Sequence, residues 1–108
     1  MNIEEYQDLP GFELVSKGLE DLSRGIMDSA EAMLIAIGSP RLRSLGLELP
    51  YRFPGLPEHA LYFLLGEKFG NSAHSQYNSW IRRLVSFERA LAHRVKRTEG
   101  TDRLATRL

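Results

Sequence analysis

From Ser72 to Arg97 the chain contains neither proline nor glycine, and its apolar residues recur at spacings of three and four. Tyr77, Trp80, Ile81, Leu84, Val85, Leu91 and Val95 fall on one side of a 3.6-residue period, which predicts a single long helix with a buried stripe. Glu88 interrupts that stripe. Its neighbours three and four positions away are Leu84, Val85, Leu91 and Ala92, so a buried carboxylate here needs a partner from another helix, whereas an acid that reaches water at the bundle edge is the commoner case. A chain organised around such an element must pack further helices against the stripe.

The rest of the sequence supplies them. Phe12, Val15, Leu19, Leu22 and Ile26 recur as one face, predicting a helix over 11–25 that Gly25 closes in a left-handed conformation. Gly18 inside it costs about 1 kcal/mol relative to alanine unless another backbone packs closely there. Asp28 and Glu31 resemble a capping box for a second helix starting at Ser29. That helix is apolar on almost every side and is expected to be the most buried element, with Gly38 as its stop. Ser39 and Pro40 read as a fresh N-cap and first turn, giving a short piece over Arg41–Leu45 before Gly46. Pro57 and Glu58 open a further helix, buried through Leu61, Leu64, Leu65 and Phe69 and closed by Gly70.

Between Gly46 and Pro57 the prolines at 50, 54 and 57 rule out both helix and central strand. Leu47, Leu49, Tyr51 and Phe53 predict an apolar strap laid across the bundle. A mobile strap would instead make Tyr51, Arg52 and Phe53 candidate loop contacts for a peptide or ligand. The expected architecture is all-α: a small orthogonal or up-down bundle of four main helices plus one short helix, joined by the Pro-rich strap 46–57. It is preceded by a lead-in over 1–10, occupies 11–97 as a single domain, and is followed by a frayed tail over 98–108.

Composition narrows the chemistry. The 108 residues include no cysteine, which excludes disulfides and thiolate metal sites within this chain. The longest apolar runs, 32–37 and 60–65, are far below the roughly 20 residues of a membrane helix, and no signal-peptide pattern opens the chain. The expected setting is cytoplasmic, with no membrane partner. Net charge is zero, but residues 1–38 carry minus six, 39–81 plus one and 82–108 plus five. Mutual neutralisation inside the bundle accounts for this most simply. Docking of a partner, or of a second copy, is the sharper alternative.

Three groups of side chains are candidates for function. Arg82, Arg83, Arg89, Arg94, Lys96 and Arg97 flank the apolar stripe and form the leading candidate interaction surface. His74, Tyr77 and Asn78, with serines at 72, 75 and 79, form a polar cluster at the start of the final helix, where backbone amides favour anions. His59, His74 and His93 lack the three- or four-residue spacing of a helical metal motif, so neither a metal nor a cofactor is expected. A helix-turn-helix is weakly suggested by the tight turn at Gly38, with Arg41 and Arg43 as phosphate contacts. The expected function is a protein-interaction or regulatory module, associating with another protein or with itself through the Arg-rich final helix and the acidic first helix. A nucleic-acid-binding regulator is the alternative, and an enzyme centred near His74 the third.

Overall fold

The computed structural model describes residues 3–49 and 55–107, with side chains described as far as 96. All regular structure among them is helical. The order is a 3-10 turn Ile3–Tyr6, α1 Phe12–Ser23, α2 Ala30–Ser44, α3 Pro57–Phe69, a 3-10 turn Gly70–Ser72, and α4 Ala73–Arg107. No described helix is long and apolar enough to cross a membrane.

Local chemistry sets most of the ends. After α1 the Ile26 amide donates to the Asp21 carbonyl at 2.8 Å and the Gly25 amide to that of Leu22 at 3.0 Å, with Gly25 at φ 79°. After α2 the Leu47 amide donates to Leu42 and the Gly46 amide to Arg43, with Gly46 at φ 105°. Both are Schellman closures, in which a left-handed residue lets the chain satisfy the last free carbonyls. Ser29, rather than Asp28, caps α2: its hydroxyl accepts from the Ala32 amide at 3.1 Å.

The expected break at Gly38 is absent. α2 runs through Gly38, Ser39 and Pro40, so the inventory of four main helices plus a short one does not stand, and Arg41–Leu45 is no separate piece. With no turn at Gly38, the helix-turn-helix is lost as well. Two contacts explain the continuity. The Ser39 hydroxyl donates to the Ala36 carbonyl at 2.9 Å, the acceptor that Pro40 has no N–H to serve. The missing Gly38 side chain leaves room for Leu84, whose methyls lie 3.0–3.1 Å from where a Cβ would stand.

α2 is the central element, packed on α1, α3 and α4, and Ala32 to Ala36 are buried in unbroken succession. α1 crosses it closely at Gly18, where a Cβ would lie 2.4 Å from Ile35 Cγ1 and 2.6 Å from the Glu31 carbonyl oxygen. The unfavourable glycine is thus the condition for the crossing. α3 contributes Leu61 and Leu65 to the core, and the short Gly70 turn folds α4 back along it. Among the described side chains of α4, Phe87 and Leu91 are fully buried and Trp80 and Leu84 nearly so. Phe87, absent from the expected stripe, is the largest of them. Leu47 is buried and Leu49 packs on the core, so the start of the strap lies on the bundle.

The helical backbone of α4 continues to Arg107 instead of ending at Arg97. One glycine, Gly100, costs about 1 kcal/mol, too little to end a helix already propagating where no proline follows. At about 1.5 Å per residue, this helix accounts for most of the 57 Å long axis.

Candidate interaction surface

The acidic and basic ends meet, which divides the arginines of α4 into two groups. Arg83 donates to Glu13 at the start of α1. The same junction is tightened by Gly11, where a Cβ would stand 2.3 Å from the Arg83 carbonyl oxygen. Further along, Arg94 makes a two-pronged pair with Asp8, Nη2 to Oδ2 at 2.6 Å and Nη1 to Oδ1 at 3.1 Å. Its Nη1 also donates to the Glu5 carbonyl, and the guanidinium sits 5.7 Å from the centre of the Tyr6 ring. Arg94 therefore lowers the Asp8 carboxyl below its ordinary value and has its own raised in return. Glu13 is lowered chiefly by a backbone hydrogen bond and then by Arg83.

Arg82, Arg89 and Lys96 have no such use. They recur every seven residues, are all exposed, and make no ion pair among the described residues. Exposed His93 lies between the last two. The stripe spans about 21 Å along the helix. The side chain of Arg97 lies outside the described residues.

Beside this stripe, Glu88 is 6% exposed. It has no hydrogen bond or ion pair among the described residues, and burial raises its carboxyl, an effect partly opposed by Arg41 on α2. The charge expected from another helix is therefore Arg41, standing beyond ion-pair distance. Arg41, Val85, Glu88 and Arg89 line an open cleft of about 340 Å³ between α2 and α4.

The polar cluster at the start of α4 is brought together only in part. In the Nδ1–H tautomer of His74, Asn78 Nδ2 donates to its Nε2 at 3.2 Å, with both side chains exposed. Tyr62 of α3 meets His74 edge-on at 6.4 Å and Tyr77 at 5.7 Å. Burial, with Glu58 nearby, raises the Tyr77 hydroxyl. Among the described residues no group of three His, Asp or Glu side chains is placed to hold a metal ion. Tyr51, Arg52 and Phe53 lie outside the described residues.

Asp21 is not among the residues that the sequence singles out. It is 3% exposed, accepts from Lys17 Nζ at 2.8 Å and from Ser29 Oγ at 2.6 Å, and is held below its ordinary value by these two bonds. The Lys17–Asp21 spacing of four was a usable signal. The Ser29 bond, across an interhelix turn, had none. No protein family, characterised protein or solved structure matches this chain.

Proposed function

We propose that this chain is a protein-interaction module that docks an acidic segment of a protein partner, or of a second copy, along the Arg82, Arg89 and Lys96 stripe of α4. The observation that carries this reading is the division of the bases: Arg83 and Arg94 are engaged by Glu13 and Asp8, whereas the stripe is exposed and has no ion pair of its own among the described residues. Uncompensated charge along one helix face steers and orients an oppositely charged partner. The acids of the first helix and its lead-in contribute indirectly, by fixing α4 in place. The lack of cysteine fits a reducing, cytoplasmic setting.

Comparing capture by the wild-type chain with capture by an Arg82→Glu/Lys96→Glu variant tests the proposal. A protein retained at moderate salt by the wild type, through a segment that cross-linking shows to be acidic, and released by a variant with unchanged melting temperature supports it. Retention of nuclease-sensitive material, with affinity falling linearly in log salt, would replace it with the nucleic-acid regulator.

A further inference from the structure

A largely buried carboxylate without a protein donor is costly to ionise, because desolvation penalises the charge. Glu88 is 6% exposed and has no protein donor among the described residues, and its carboxylate oxygens reach water only on the wall of an open cleft. Its companions there limit what relieves it. A simple cation would be repelled by the guanidinium groups of Arg41 and Arg89, and a simple anion by the Glu88 carboxylate. Two bases and one acid leave the site one unit positive, so the fitting ligand brings one donor cation and two anionic groups. The volume, about 340 Å³, is at the small end of the roughly 300–1,000 Å³ typical of ligand sites.

We infer that this cleft binds an amino dicarboxylate, its ammonium received by Glu88 and its carboxylates by Arg41 and Arg89. Guanidinium groups suit carboxylates because their planar donors match both oxygens. Val85 offers an apolar wall for the methylene chain between the charges. Burial discourages ionisation of empty Glu88, and an arriving ammonium restores it. The same chemistry is presented by a free amino acid and by a protein amino terminus that begins with an acidic residue.

The inference shares Arg89 with the docking stripe, but Arg41, Val85 and Glu88 lie outside it. Amide shifts of the whole protein, followed by NMR during titration with L-glutamate, provide the test. The amides of Arg41, Val85, Glu88 and Arg89 are expected to move saturably. Glutarate, which keeps both carboxylates but lacks the ammonium, should bind about tenfold more weakly. Glu88→Gln should remove that preference by weakening glutamate alone, while Arg41→Gln should weaken both. The Arg82→Glu/Lys96→Glu variant should bind glutamate as the wild type does, which separates failure of this site from failure of the docking face.

A peptide with amino-terminal glutamate, compared with its acetylated form, identifies the source. Binding of the free-amino peptide assigns the site to protein termini as well, and binding of the amino acid alone assigns it to a metabolite. Absence of shifts at these amides, equal affinity for glutamate and glutarate, or an unchanged preference in a folded Glu88→Gln variant would overturn the inference.

Discussion

The hydroxyl of Ser39 donates to the carbonyl of Ala36 at 2.9 Å and so replaces, one residue early, the backbone donor that Pro40 lacks. Ser39 is buried, so neither group has ready access to water in its place.

Ser39→Ala should therefore destabilise the fold by about 1–3 kcal/mol, the cost of leaving a buried acceptor unsatisfied. The Ser39→Ala/Pro40→Ala double variant should recover most of that loss, because replacing the proline restores a backbone N–H at that position. Urea melts of the four proteins of this cycle give the coupling directly, and additive effects would refute the account.

Two interior glycines should respond oppositely to alanine. At Gly18 the added carbon meets Ile35 and the Glu31 carbonyl at 2.4 and 2.6 Å, so the α1–α2 crossing must open. A loss of about 1–3 kcal/mol or more is expected from such overpacking. At Gly66 on α3 the nearest atom is Ala73 Cβ at 3.9 Å, and alanine should stabilise by about 0.5–1 kcal/mol through helix propensity. Thermal denaturation of the pair decides it.

Glu88 should make the protein less stable as pH rises. Its native carboxyl lies above the ordinary value, so above about pH 4.3 the unfolded state binds fewer protons than the native state. The penalty develops as pH rises towards the native value and is complete above it. Glu88→Gln should raise stability at neutral pH, and the gain should vanish in acid, below the ordinary glutamate range. Melting temperatures across that range report the crossover.

Asp21 has the opposite sign. Its carboxyl is depressed by Lys17 and Ser29, so its contribution is full above about pH 3.9 and is lost as pH falls through the native value. Asp21→Asn should be destabilising at neutral pH and approach the wild type in strong acid, as melts at the two extremes would record. Ser29→Ala removes both the cap and one Asp21 donor, and should cost about 1 kcal/mol or more.

Much of the fold was legible because its signals are local. Left-handed glycines at 25, 46 and 70, proline at the start of α3, and the Leu61 and Leu65 face all act within a turn or two of chain. Gly38, Ser39 and Pro40 carry equally local stop signals, and there the reading failed. Leu84 fills the space over Gly38, and a side-chain hydroxyl supplies the missing hydrogen bond, so packing and one polar contact outweigh propensity. The candidate surface was legible as a set of bases but not as two sets, and the Glu88 cleft only as an acid in the wrong place.

The sequence by itself determined that this protein is helical, where three of its glycines end helices, and that its charge is divided between its ends. Hydrogen bonds four residues apart and apolar spacing of 3.6 are short-range properties, and they do not depend on the final arrangement. Only the tertiary structure decided which charges meet. Arg83 and Glu13 are 70 positions apart, and Arg94 and Asp8 are 86 apart. Packing α1 and its lead-in against α4 neutralises those arginines, keeps Arg82, Arg89 and Lys96 at the surface, and buries Glu88 across a cleft from Arg41, because burial and charge pairing depend on proximity in space.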